Sequence, residues 1–174
     1  MDVKPVTKML AAIAVGALAF AIAPAKAGSS GTAAFEQLKS LAGHWATEKT
    51  NMGEATLDLE LTANGTAVIE RAHVTEQGKT AEMITLYYLD GDQLKLTHYC
   101  MAGNQPTMHG TYAPETKTLT FEFEGATNLK SANDGHMHHA VYTFLDNDHF
   151  KTTWTFQKNQ KDAFTEDVVY VRAK

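Results

Sequence analysis

The chain has 174 residues, a net charge of −5 and a single cysteine. An acidic chain lacks the basic face that nucleic acid or an anionic membrane surface requires. One cysteine rules out an internal disulfide.

The first 27 residues read as a targeting segment. Lys4 and Lys8 precede an apolar run from Met9 to Ala23, and Ala25-Lys26-Ala27 forms an A-x-A cleavage site before Gly28. The run is short for a membrane span, and Pro24 with its small neighbours suits cleavage. No cysteine follows the site, so no lipid anchor is expected. The expected product is periplasmic or secreted, with no membrane contact after cleavage. Loss of three lysines and one aspartate takes its net charge from −5 to −7. The remainder suits one domain, large enough to bury roughly 68–70% of its unfolded surface.

Residues 28–32 read as a flexible lead to a domain over 33–174. Ala33 to Ala42 sets Phe35, Leu38 and Leu41 on one helical face, and Gly43 ends the helix. From there the hydrophobic period is two. Ala55, Leu57, Leu59 and Leu61 alternate with polar residues, as do Leu94, Leu96, His98 and Cys100. The same holds for Leu119, Phe121 and Phe123, and for Phe150, Thr152, Trp154 and Phe156. Such alternation marks antiparallel strands with one buried face.

Turn signals (Asn64-Gly65, Gln77-Gly78, Asp90-Gly91, Ala113-Pro114, Asp146-Asn147, Lys158-Asn159) separate ten expected strands. These lie near 44–51, 54–62, 66–74, 81–89, 93–100, 106–113, 117–124, 136–145, 149–157 and 163–172. The fold class is therefore all-β, an up-and-down barrel with a short N-terminal helix. Counting strand ends leaves tight turns at one end. The longer connections, at Met101–Gln105 and Gly125–Gly135, fall at the other. Barrels bind small molecules at such an open mouth.

Gly43-His44-Trp45 and Arg172 resemble the G-x-W and closing basic residue of the calycin superfamily, lipocalins and fatty-acid-binding proteins among them. The resemblance implies that Trp45 plugs the closed end and that Arg172 packs on it, worth about 0.5–2 kcal/mol as a cation–π pair. Phe35 to Arg172 further resembles a bacterial lipocalin-like family of unknown function. The matching segments are Leu89–Asp92, Leu96–Cys100, Gly103–Pro106, Phe123–Leu129 and His136–His138. That likeness implies a fold and no assigned chemistry. Haem-binding nitrobindin-like barrels share the architecture at greater distance, and nothing in this sequence carries over their haem ligand.

The candidate site is the mouth. His98, Cys100, Met108, Phe123, Asn128, His136 and His138 are its expected ligand-contacting residues. Imidazole and thiolate suit Zn, Cu or Fe, so His98, Cys100, His136 and His138 are also a candidate metal set. Residues at i and i+2 stand about 6.5–7 Å apart, within reach of one ion, but the two strands are roughly 14 Å apart along the wall. Alternatively, these histidines tie down loop backbone near Asn104 or Asn128. Cys100 reads as a small core residue before a nucleophile, and no catalytic residue or cofactor is assigned. Three functions stay open: a carrier of a small, partly apolar molecule; a metal- or haem-dependent protein; and a filled barrel acting through a protein partner.

Overall fold

Alternation over ten segments is satisfied by closing the sheet on itself. In a computed structural model, ten antiparallel strands form a closed barrel in the order β1-β10-β9-β8-β7-β6-β5-β4-β3-β2. The structure describes residues 31–47, 54–76 and 78–173. The expected leader, residues 28–30 of the lead, residues 48–51 of the first expected strand and Gln77 lie outside them.

The helix α1 spans Gly31–Lys39 and the strands follow: β1 Gly43–Thr47, β2 Glu54–Thr62, β3 Ala67–Glu76, β4 Lys79–Asp90, β5 Gln93–Tyr99, β6 Gln105–Ala113, β7 Thr118–Thr127, β8 His136–Phe144, β9 His149–Lys158 and β10 Lys161–Arg172. Every chain-consecutive pair is a hairpin partner, and β1 with β10 closes the ring. At Asn64-Gly65 the backbone is left-handed (φ 56° and 81°), and Thr66 N–H donates to Ala63 O at 3.2 Å. That is the type I′ geometry the Asn-Gly pair calls for.

Both helix ends and most strand ends differ from the sequence reading, with β7 running on to Thr127 rather than 124 and β10 starting at Lys161 rather than 163. The helix begins at Gly31 because the β4–β5 turn caps it: Gly31 and Thr32 N–H donate to the backbone and side-chain oxygens of Asp92. A Cβ at Gly31 would lie 2.1 Å from Asp92 O, so only glycine permits this approach. The helix also ends earlier, at Lys39. Ser40, Leu41 and Ala42 close tight turns onto residues three back before Gly43 (φ 136°) enters β1. The β3–β4 hairpin runs further than expected, since Thr75↔Thr80 and Glu76↔Lys79 continue its ladder.

The closed end is packed dry. Ala34, Phe35 and Leu38 of α1 cover it from below. Above them Trp45 meets Phe150 edge-to-face at 4.6 Å, and Trp45 Nε1–H donates to Leu41 O at 2.7 Å. Arg172 lies 4.1 Å over the Trp45 ring and donates to Ala42 O and Ser40 O. Leu59, Val68, Leu94, Leu119, Phe121, Tyr142 and Phe150 carry the inner face onward, none more than 1% exposed. Burial of each large side chain contributes about 1.5–3 kcal/mol before entropy is counted.

The same strands turn open higher up. Alternation from the buried positions puts Ala55, Val74, Ala81, Met83, Phe123, His138, Trp154 and Val168 on the inner face, and all are half-buried. The barrel is thus a solid plug below and a cup above.

Candidate functional site

The floor of the cup is a buried polar network. Val68, Glu70 and Ala72 share the inner phase of β3, which carries a carboxyl group into the barrel, where Glu70 is 4% exposed. Tyr87 Oη lies 2.9 Å and Tyr142 Oη 3.1 Å from Glu70 Oε2, and the two hydroxyls are 2.7 Å apart. On the other carboxyl oxygen, Thr85 Oγ1 donates to Glu70 Oε1 at 3.5 Å. His98 Nδ1 lies 2.9 Å from Thr85 Oγ1.

Proton counting fixes the states of these groups. Glu70 Oε2, Tyr87 Oη and Tyr142 Oη form a triangle with three contacts, and the tyrosines supply two protons. The third contact is a hydrogen bond only if Glu70 is a carboxylic acid. With Thr85 donating to Glu70 Oε1, its contact with His98 is a hydrogen bond in the tautomer that carries the proton on His98 Nδ1. His98 is then a neutral imidazole with its lone pair on Nε2.

The electrostatics agree. Burial pushes the Glu70 carboxyl up to about 7 against the pull of its three hydroxyl donors. Burial alone lowers His98 to about 4. Tyr87 and Tyr142 are held well above the usual phenol range, first by burial and then by the Glu70 charge. Burial thus shifts both interior groups toward their neutral forms, as low-dielectric surroundings favour. His98 Nε2 is buried and has no hydrogen-bond partner among the described residues. The His98 ring lies 5.0 Å from that of Trp154, which is half-buried in the cup.

The wall holds a second chain of rings. His136 Nδ1–H donates to Asp134 O at 3.0 Å, which leaves His136 Nε2 to accept from His138 Nδ1 at 3.4 Å. Phe123 lies against both rings, at 4.6 and 4.9 Å. Burial lowers the His138 pKa, with the His136 charge second. Its Nε2 is again a lone pair.

Phe123 and His138 lie half-buried on the inner face of the cup and His98 is buried beneath it, beside Trp154, whereas the other expected contacts sit elsewhere. Met108 is fully buried in the packed layer. His136 is 4% exposed and anchored to loop backbone. Asn128, in the left-handed region at φ 60°, ties its loop to Gly103 O. Asn104 Nδ2 holds Gly135 O at 2.8 Å. Cys100 closes a turn with Gly103, its sulfur accepts from Ala102 N–H, and burial raises its thiol pKa.

His98 and the His136–His138 pair belong to separate networks because β6 and β7 stand between their strands. Among the described residues no three His, Cys, Asp or Glu side chains are arranged to hold a metal ion. The expected four-residue metal set is thus not assembled, and His98 presents one donor atom with no second ligand beside it. Two clefts, of about 550 and 570 Å³, are lined by none of His98, Phe123, His138 and Trp154. One is beside Arg172 and Tyr112, the other between Asn104, Asn128 and Lys158.

Glu70, Thr85 and Tyr142 form a buried polar network that the mouth reading missed. The signal was an acid in phase with Val68 and Ala72.

No family model matches the chain, and no curated protein does. Among solved structures it is similar to the crystal structure of Rv2717c from M. tuberculosis, with a TM-score of 0.59 and 12% identity. The match covers 81% of this chain and 98% of that one. At that identity the likeness establishes a shared barrel fold, one able to hold a small ligand.

Proposed function

We propose that this is an exported, calycin-type barrel that binds a small, partly apolar molecule in the open cup. The observation that carries the reading is His98 Nε2, a buried nitrogen without a hydrogen-bond partner among the described residues, beside the half-buried Trp154. An unmet buried acceptor costs about 1–3 kcal/mol, which a ligand donor would recover. The Trp45–Arg172 closure supports the calycin assignment, and the A-x-A segment supports export. His98, His138 and Phe123 contact the ligand, while Glu70 and Thr85 hold His98 in the acceptor tautomer. Cys100, Asn128 and His136 act by shaping the mouth.

The test is native mass spectrometry with elemental analysis on tag-free protein from the exported fraction. The reading expects an added organic mass on the wild type that is lost in a folded His98→Ala, His138→Ala double variant. Equal retention by both proteins, or a stoichiometric metal or haem in place of the organic mass, overturns it.

A further inference from the structure

The barrel wall has a gap in its ladder at the mouth. The β7–β8 pairing ends at Glu122↔His139. Beyond it β7 runs on to Thr127 against β6 alone, and β8 begins at His136 against β9 alone. Side-chain rings bridge the two strands where the ladder does not. Phe123 of β7 lies 4.6 Å from the His136 ring and 4.9 Å from the His138 ring of β8. The two imidazoles hold one another through His138 Nδ1 and His136 Nε2, 3.4 Å apart. That bond needs one N–H and one lone pair. His136 Nδ1–H is committed to Asp134 O, so a proton added to His136 lands on Nε2. The neutral pair forms the bond with His138 as donor. The singly protonated pair forms it with His136 as donor and His138 Nδ1 as acceptor. With both rings charged, two N–H groups face each other and the bond is lost.

We propose that His136, His138 and Phe123 form a proton-operated latch on the β7–β8 seam, closed at neutral pH and released when both imidazoles are charged. The charged groups around the pair are Glu122 on β7, His139 on β8, Asp162 on β10 and Asp134 in the β7–β8 loop. On β9, Lys158 lies one residue past Gln157, the ladder partner of His136. Burial and then the His136 charge lower the His138 pKa, against Asp162 and Glu122, which raise it. The closed pair is therefore kept at neutral pH and lost as pH falls below the usual imidazole range. Release of a bound molecule in acid is what the latch adds to the small-ligand reading. That use rests on the reading, whereas the latch itself does not.

The test is NMR on the full mature protein from about pH 7.5 to about pH 4.5, a range that spans imidazole titration. Ring 15N shifts find the pH at which both His136 and His138 are charged. Amide exchange, corrected for the intrinsic rate at each pH, compares the two edges of β7. Amides bonded across the last β7–β8 pairs, Phe121↔Ala140 and Glu122↔His139, should lose at least ten-fold in protection once both rings are charged. Amides bonded across the β6–β7 pairs at the same height, Gly110↔Phe121 and His109↔Glu122, should keep theirs. His138→Phe keeps a ring on Phe123 and cannot charge, so it should hold both edges throughout. His138→Gln, whose amide offers a donor or an acceptor, should do the same and serves if phenylalanine disturbs folding. Rings that never both charge in this range overturn the latch. So do equal losses on both edges, no loss on either, or an undiminished loss in the His138 variants. Each of these leaves the cup reading to the cellular mass measurement.

Discussion

The two ends of this barrel use the same strands and the same alternation to opposite effect. At the closed end the inner positions are Trp45, Phe150, Phe121, Tyr142 and Tyr170, whose rings reach the axis and stack at centroid distances of 4.6 to 6.1 Å. At the open end Ala55 and Ala81 take equivalent phases and are half-buried. Side chains that short reach less far across the lumen, and the larger residues beside them stay half-buried. Alternation decides which residues point inward, and their size decides whether the interior is core or cavity. The polar network sits at the boundary, where Glu70 and His98 are buried deeply enough to be neutral and His98 borders the cup.

The largest effect should separate the plug from the cup by stability. Trp45→Ala or Phe150→Ala removes a ring from a dry interior and should cost about 3–5 kcal/mol in urea unfolding. Met83→Ala, on the half-open wall, should cost less than about 2 kcal/mol. Equal losses would erase the distinction.

The boundary should show in pH dependence. The folded pKa of Glu70 is raised from 4.5 to about 7, so the folded state holds the extra proton between those values and stability falls as pH rises through them. His98 is lowered from 6.5 to about 4, so its effect runs the other way: stability rises as pH rises from about 4 to 6.5. In the wild type the two slopes oppose each other across the shared window. His98→Gln should unmask a loss of up to ~3 kcal/mol as pH rises from 4.5 to 7. Glu70→Gln should unmask a gain of similar size between pH 4 and 6.5. Denaturation midpoints across pH 4–8 check both signs, and parallel profiles in the two variants would contradict neutral burial.

Smaller effects concern the caps at each end. Arg172→Gln loses the contact over Trp45 and donors to two helix-turn carbonyls, and should destabilise by about 1–3 kcal/mol. Asn128→Ala frees one loop tie and should cost no more than about 1 kcal/mol. Its side chain engages only Gly103 O at the rim.

Much of the plug was legible in the sequence, since Trp45, Arg172 and the alternating rings announce themselves by type and phase. The cup was legible as a place: the strand count brought His98 and His138 to one mouth. Its chemistry was not. Glu70 is hidden between outer-facing Ile69 and Arg71, so β3 shows polarity on both faces and apolarity on both. Nor does the strand count show that β6 and β7 part the histidines into two networks, or that a neighbour has already claimed one nitrogen of each ring. Those facts depend on distances across the lumen.

The most direct test of a solid plug below an open cup is acrylamide quenching of single-tryptophan variants, as the chain has only two tryptophans. In Trp45→Phe the remaining Trp154 reports the cup, and in Trp154→Phe the remaining Trp45 reports the plug. The account predicts strong quenching of Trp154 and protection of Trp45. Equal protection of both would mean a barrel filled from end to end, and the cup would have no place in its function.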